Sequence, residues 1–551
     1  MSEEERDVCP HLPSNRLPNQ LCASCLSSPK RILIEGHPGI GKSTLCQQLA
    51  FSWAKGSCDA KCPKPCVHDF KIVLYFYAAD LRGYESIAQA TCAHLLPKDG
   101  DINTEEQVNA ILKAHNTLII VDSYDEGYRQ NPLLEDLIEG RVQRDSTVLI
   151  TSRPQYLRQH LQHFKSRLMV EGFNAQQRED FVKKFEEERG YEVKGVRGIV
   201  KPEVEDLCST PLNLCILCLL CEEGSLEAIH SRTSMYEAVH EFLLKKASNR
   251  LNLTEAEVEK TVLQPLYAAT FNAYENNRAT ISIDELTAEG GDAEQMLKAG
   301  YIIKKVKVSR LKGEERFSFS HQTFLDFLCA IHMSKMEPSK REEWIMTADP
   351  RKNESMLLFL FGIMKGEVHL ATTIMRRTNF SKMKHECDES HLILRCLAEL
   401  TETSPDVEEA ILKQCPEWIT LTKGCSPQCA KGCTTIGNMR QPSEGGVSLG
   451  IYLYEPKARQ VKGIPIGREG SPVKKIGIER PSSIPTDFCS MIGPRTEEME
   501  LFGCDDEESS MNFVEGARDR PLTELRMIQC QMNEFPHSVI SSLKHLRHLK
   551  M

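Results

Sequence analysis

No stretch of this chain is long and apolar enough to cross a bilayer as a helix. The longest apolar runs are MLLFLFGIM at 356–364 and LCILCLLC at 214–221. A spanning helix needs about 20 such residues, so both read as buried helices. A secretion signal is missing as well: the opening MSEEERD is acidic and lacks a basic n-region and an apolar core. Nor is there an excess of positive charge. Lys and Arg number 68 against 78 Asp and Glu, for a net charge of -10, and no basic block stands out. This argues against nucleic acid as the main partner. A soluble, cytoplasmic protein without a membrane span is expected. Its 22 cysteines should then be reduced thiols rather than disulfides. Cys208, Cys215, Cys218, Cys221 and Cys329 sit in apolar surroundings and read as small core hydrophobes.

What is present is globular: 551 residues, 40% apolar and 26% charged. At about 100–200 residues per domain this allows roughly three to five domains. The tail 1–29 shows no helical period and reads as disordered. Between 30 and 155, apolar strands (31–35, 70–78, 117–121, 146–151) alternate with helices, among them 43–54 with Leu45, Leu49 and Trp53 on one face. That alternation predicts a parallel sheet covered on both faces. The polar residues of interest fall at the C-terminal strand ends, where open α/β sheets bind ligands. From 156 to 228 the chain is mostly helical, with Asn174 and Gln177 at a capping-box spacing. Over 229–335 helices enclose a hairpin with arms at 301–308 and 316–320, which predicts a winged-helix domain. A second helical domain is expected over 336–435 and an irregular Gly/Pro/Ser-rich connector over 436–515. Residues 516–551 read as the start of leucine-rich repeats, carried by Leu522, Leu525, Cys530, Leu543, Leu546 and Leu549. An amphipathic helix after a loop is the plainer alternative. A solenoid needs about three or more repeats, so a chain that stops one repeat in predicts a fragment or a truncated member of its family. The fold class expected is thus multidomain α/β plus α: a parallel-sheet domain, which the loop described next makes a P-loop domain, then helical and winged-helix domains and the beginning of a repeat array.

The most specific signal is RILIEGHPGIGKST at 31–44. Gly36-x-x-x-x-Gly41-Lys42-Ser43 satisfies the P-loop pattern at every position, after a strand and before a helix. Gly36, His37, Pro38, Gly39, Ile40 and Gly41 supply backbone N–H groups that can turn around phosphate oxygens without Cβ clashes. Lys42 brings a point charge. Ser43 and Thr44 open the helix with its positive dipole end. Ser43 also offers a hydroxyl to Mg²⁺. The strand TLIIV delivers Asp122 as the second magnesium ligand, through water, and then Ser-Tyr-Asp125-Glu126. Asp125 or Glu126 is a candidate for orienting an attacking water, with helix capping as the alternative. Arg153, at the end of STVLITSR, is expected at a γ-phosphate, with a structural salt bridge as the alternative. No Asn-Lys-x-Asp guanine-reading element occurs, so adenine nucleotides, ATP or ADP, are favoured.

ILIEGHPGIGKSTL, LIIVDSYDE and VLITSRP together resemble the NACHT nucleotide-binding domain of NOD-like receptors, a branch of the STAND class of P-loop ATPases. Their order and spacing match over about 31–155. LCSTPLNLCILC (207–218) resembles the helical segment whose proline packs on adenine, which implies that role for Pro211. FSFSHQTFLDFLCA (317–330) resembles the winged-helix segment whose histidine reaches the β-phosphate of ADP, which implies that role for His321. Taken without the family, Pro211 is a helix-start residue and His321 a helix N-terminal residue.

The resemblance implies a nucleotide-exchange switch of innate immune signalling. Such a protein opens and oligomerises with itself or related receptors in response to an activating ligand that the sequence does not identify, and slow ATP hydrolysis serves to reset it. Such receptors usually carry an N-terminal effector module, and residues 1–29 are too short for one. A regulatory or decoy module without an effector, or a turnover AAA+-like ATPase, therefore stays open as an alternative.

Three clusters have metal-ligating residue types: Cys9, His11, Cys22 and Cys25; Cys58, Cys62, Cys66 and His68; Cys425, Cys429 and Cys433. None is followed by a second Cys pair at the standard zinc spacing. Loop cysteines without metal are the expectation for all three.

Overall fold

A computed structural model describes residues 31–36, 39–56, 67–97, 100–154, 156–189, 208–222, 229–278, 280–306, 315–319, 322–383, 387–422, 424–439, 449–456, 473–488, 492–493, 495–533 and 536–551. His37, Pro38 and His321 lie outside the described residues, as do Cys9, His11, Cys22, Cys25, Cys58, Cys62 and Cys66. The chain forms two compact units, 1–229 with 235–332 and 230–234 with 333–551.

In the first unit, β1 (Arg31–Glu35), β2 (Ile72–Tyr77), β3 (Thr117–Asp122), β4 (Thr147–Ser152) and β5 (Ser166–Met169) form a sheet in the order β2-β3-β4-β1-β5. Every pairing is parallel. β1, β3 and β4 are buried at every position, as strands covered on both faces must be. Alternate residues serve opposite faces. Leu33, Ile119, Val121, Val148 and Ile150 pack with Val108, Leu112, Leu134 and Leu137 on one side. Ile32, Ile34, Leu118, Ile120 and Leu149 pack on Cys46 and Leu49 of α1 (Lys42–Lys55) on the other. The edge strand β5, with half its residues exposed, is too short to show a period in the sequence.

Arg31 begins β1 inside this core, and among the described residues no carboxylate pairs with it. Its guanidinium instead donates to the carbonyls of Leu137, Val142, Gln143, Arg144 and Ser146. The loop before β4 is thereby fastened to the strand that carries the P-loop.

α2 (Pro211–Glu222) follows in the same unit. Further on, β6 (Thr280–Ser282), β7 (Ile302–Val306) and β8 (Glu315–Phe319) form an antiparallel sheet in the order β6-β8-β7. The expected hairpin arms are thus paired strands, and the three-residue β6 joins them as a third. α3 (Gln322–Ser334) comes next, with Leu325, Phe327 and Leu328 buried.

The second unit holds a helical layer, with helices at Pro338–Thr347, Glu354–Ile363, Val368–Thr378, Leu392–Leu397 and Pro405–Gln414. The run at 356–364 is largely buried here, with Met356 to Phe361 in the core. Among the described residues no helix is long and apolar enough to cross a membrane.

The C-terminal part departs from expectation. Instead of an irregular connector over 436–515 and a single repeat after it, six strands form one sheet: β9 (Trp418–Thr422), β10 (Leu449–Tyr454), β11 (Val473–Glu479), β12 (Glu498–Phe502), β13 (Glu524–Ile528) and β14 (His548–Lys550). Each lies next to the strand before it in sequence, and all are parallel. From β10 onward the strands recur about every 25 residues, inside the period of solenoid repeats. Two apolar rows run across the sheet in register: Ile451, Ile476, Met499 and Leu525, and beside them Leu453, Ile478, Leu501 and Met527. The sequence hid this array because each strand carries only two or three inward apolar residues, and long Gly/Pro/Ser-rich segments separate the first ones.

Candidate nucleotide-binding site

The P-loop leaves β1 at Gly36, whose N–H donates to the Ser152 carbonyl at the end of β4 (3.3 Å). The loop is therefore anchored to the neighbouring strand before it turns. Gly39 (φ +77°) and Gly41 (φ +104°) take the left-handed conformations that side chains resist. A Cβ on Gly41 would have open space within 4 Å, so it is the backbone conformation that demands glycine there. Helix α1 starts at once, with Leu45 N–H on the Gly41 carbonyl (2.9 Å).

Lys42 folds back over the loop and donates from Nζ to the Gly36 carbonyl (2.7 Å). Burial lowers its pKa, offset in part by Asp125, Asp122 and Glu126, with Arg153 adding to the depression. Three carboxylates and a guanidinium from the ends of β3 and β4 thus act on the charge of the P-loop lysine. Ser43 is half-buried and Thr44 exposed on the first helical turn. Thr210 and Leu212, at the start of α2, lie against Gly39, and Leu212 N–H points to its carbonyl (3.4 Å). The half-buried Pro211 is the first residue of α2, within this contact.

Asp122 is fully buried. Thr151 Oγ1 donates to its Oδ1 (2.5 Å) and Tyr75 OH to its Oδ2 (3.1 Å). A carboxylate offers about four lone-pair sites, so these bonds fix its orientation and leave acceptor capacity for a cation. Thr151 in turn accepts from Ser123 N–H (2.9 Å), where the chain takes a left-handed turn (φ +61°). Asp122 and Ser43 present hard oxygen donors of the kind Mg²⁺ takes. Gly127 closes this turn against the short helical turn Ala78–Leu81 that follows β2: a Cβ there would come 2.3 Å from the Ala79 nitrogen.

The two acidic residues that follow Ser123 and Tyr124 have different fates. Asp125 is buried and committed to Arg153: its Oδ1 accepts the Arg153 backbone N–H (3.1 Å) and its Oδ2 faces Nε (3.0 Å). Glu126 stays half-exposed on the same turn. Arg153 itself is 7% exposed, and its Nη1 reaches Oδ2 of the fully buried Asp326 on α3 (3.3 Å). Burial would weaken the guanidinium's charge, but Asp326 and Asp125 outweigh it and hold the proton more firmly than usual. Of the two readings the sequence left open for Arg153, the structure shows the salt bridge. Asn277 adds a second tie from the neighbourhood of β6, donating to the Asp125 carbonyl (2.8 Å).

Sequence reasoning missed Tyr75, Thr151 and Asp326. Only Asp326 left a usable sign: a lone carboxylate inside an apolar helix, TFLDFLCA, is almost never fully buried unless paired.

A parallel sheet with this loop between β1 and α1, and an oriented aspartate at the tip of β3, defines a P-loop nucleotide-binding domain. Comparison with known proteins shows what the domain is similar to. Residues 30–189 match the NACHT domain model. The bovine (Bos taurus) NLR family CARD domain-containing protein 4 is 24% identical over 327 residues, covering 56% of this chain and 29% of that protein. The mouse (Mus musculus) Baculoviral IAP repeat-containing protein 1b is 22% identical over 320 residues, covering 56% of this chain and 21% of that protein. A solved signal transduction ATPase with numerous domains (STAND) from Pyrococcus horikoshii, with a tetratricopeptide repeat sensor, is 13% identical. It covers 70% of this chain and 54% of its own, at a TM-score of 0.30, too low to carry a structural argument. Residues 30–189 thus form a NACHT domain, and the chain is similar to proteins of the NLR family. Its matched part spans less than a third of the bovine and mouse relatives' length.

Proposed function

We propose that this chain is an adenine-nucleotide switch, in which the β- and γ-phosphate site reports its state to the helices after the parallel sheet through Arg153. The observation that carries the reading is the buried Asp125–Arg153–Asp326 bridge. It ties the C-terminal ends of β3 and β4, where the phosphates of a P-loop ligand lie, to α3. The sheet β6-β8-β7 followed by α3 supports a winged-helix assignment for this part. The strand period of about 25 residues in the second unit supports a leucine-rich-repeat array.

The bound ligand is ADP in the closed form and Mg²⁺–ATP in the open one. Lys42 and the loop N–H groups bind the phosphates, and Pro211, beside Gly39, borders the base. Ser43 and Asp122 would hold the magnesium, which would supply charge neutralisation there. With Asp125 occupied by Arg153, Glu126 is the carboxylate that orients an attacking water. His321 completes the ADP-bound form from the residue before α3. Exchange of ADP for ATP releases Arg153 toward the γ-phosphate and frees the winged helix, so that chains oligomerise in innate immune signalling. Nucleotide can drive this only by its differential affinity for the two forms.

Calorimetric titration of the full chain with ADP and with Mg²⁺–ATP tests the reading, alongside size-exclusion chromatography in each nucleotide. Binding of both, with a larger assembly only in ATP, is expected. Absence of adenine-nucleotide binding refutes the site. Steady-state turnover near the typical enzyme value of about 10 s⁻¹ refutes the switch in favour of a working ATPase.

A further inference from the structure

In the second unit, two residue pairs far apart in sequence converge on one point. Cys387 lies two residues before the short helical turn Glu389–His391, and His391 ends it. Cys425 follows β9, and Cys429 lies on the first turn of the helix Pro427–Gly437. One ligand atom from each of Cys387, His391 and Cys425 lies within 4.8 Å of the others. Cys429 lies beside them, since Arg395 Nη1 reaches both Cys429 Sγ (3.5 Å) and Cys387 Sγ (3.8 Å). We propose that Cys387, His391, Cys425 and Cys429 form a structural zinc site that fastens the helical layer to the first strand of the repeat sheet.

Three features beyond proximity support this. The first is the histidine. His391 is fully buried, and its Nε2 lies 2.8 Å from the Thr420 carbonyl. A carbonyl only accepts, so Nε2 carries the proton and Nδ1 is left with the lone pair. Metal-bound histidines are held this way, by donating from the other ring nitrogen. Nδ1 also has Ser390 Oγ at 3.4 Å and Asp388 Oδ1 at 3.7 Å. That carboxylate oxygen already accepts from the Ser390 N–H and hydroxyl.

The second is charge. Three thiolates and Zn²⁺ carry a net charge of about -1. The Arg395 guanidinium, itself paired with Glu354 (2.8 Å), points Nη1 at Cys429 Sγ (3.5 Å) and Cys387 Sγ (3.8 Å). Thr422 N–H donates to Cys425 Sγ (3.3 Å), and Ser426 Oγ lies 3.5 Å from Cys429 Sγ. Such donors favour sulfur in its anionic form.

The third is donor type. Four ligands, three sulfur and one imidazole, suit tetrahedral zinc and close the site to substrate. Both pairs have three residues between ligands, within the permissive range. Cys433, the third cysteine of the sequence cluster, is not part of the site. It sits one helical turn further on, fully buried, with its thiol pushed up by burial.

Zinc is measured by mass spectrometry in the full chain, purified under reducing conditions without a chelating tag. The wild type is compared with the double variant Cys387→Ser, Cys425→Ser and with the control Cys415→Ala, Cys433→Ala. The double variant is expected to hold one zinc fewer per chain and the control to match wild type. The difference isolates this site from the cysteines at 9–66. Equal zinc in wild type and double variant overturns the proposal, as does a wild type that takes up none. Should the double variant fail to fold, alkylation of the wild type decides. Cys387, Cys425 and Cys429 should resist iodoacetamide until a chelator is added, whereas equal labelling with and without chelator, or a disulfide among them, overturns the site.

Discussion

Replacing Asp326 with alanine tests how firmly the nucleotide-binding sheet is tied to α3. The side chain is fully buried, and its Oδ2 reaches Arg153 Nη1 at 3.3 Å. Its loss leaves a buried guanidinium with Asp125 as its remaining carboxylate, at 3.0 Å from Nε. Removing one partner of a buried pair costs about 3–5 kcal/mol when the other is stranded. Arg153 keeps one of its two carboxylates, so the cost should be near half of that, about 2 kcal/mol. At about 1.4 kcal/mol per factor of ten, this raises local opening of α3 roughly 30-fold.

The assay is hydrogen–deuterium exchange, because a chain of several units has no single unfolding free energy. Peptides from 322–334 and 147–154 are followed in wild type, Asp326→Ala, Arg153→Met and the double variant. The coupling energy from that cycle should be about 2 kcal/mol, with the double variant less perturbed than the sum of the single ones. Asp326→Asn, which keeps the shape and an acceptor, should lose about half as much. Additivity to within about 0.5 kcal/mol would refute a bridge that acts as a unit.

Three further outcomes are expected. Lys42→Ala removes the cation that spans the P-loop and should weaken ADP at least ~100-fold in a calorimetric titration, on the scale of one or two charged hydrogen bonds. Thermal stability should not fall, since a desolvated charge is removed with it, and unchanged affinity would place the phosphates elsewhere. Gly41→Ala forces a Cβ into φ +104°, a strain of about 1–3 kcal/mol. It should weaken nucleotide binding about tenfold or more by titration although the Cβ meets no neighbour. Gly477→Ala drives a Cβ to 2.3 Å from the Tyr452 ring in the repeat sheet. It should cost about 1–3 kcal/mol, seen as faster exchange in peptides of β10 and β11, with nucleotide affinity unaltered.

How much of this was legible in the sequence depended on whether a feature's causes were local. The P-loop was readable because backbone conformation selects its glycines and one contiguous loop contains its lysine and serine. The strands β1, β3 and β4 were readable because burial on both faces makes each a largely apolar run, and β2 because it is β-branched and aromatic. The expected hairpin at 301–308 and 316–320 had Gly313 between its arms to mark it. The repeat sheet was not legible over 436–515, since a strand that buries two or three residues on one face leaves little pattern among long loops. Arg153 showed the limit most clearly. Its position at a strand end was written in the sequence, but whether it faced a phosphate or a carboxylate depended on Asp326, 173 positions away.

The sequence by itself determined the phosphate loop, the parallel sheet around it and the aspartate at the tip of β3, because short-range sterics and strand burial act within a few residues. Only the tertiary structure decided which acidic residue holds Arg153, and that Cys387 and His391 meet Cys425 and Cys429. Both depend on side chains brought together across long loops, where the low dielectric of a shared core, rather than any spacing along the chain, selects the partners.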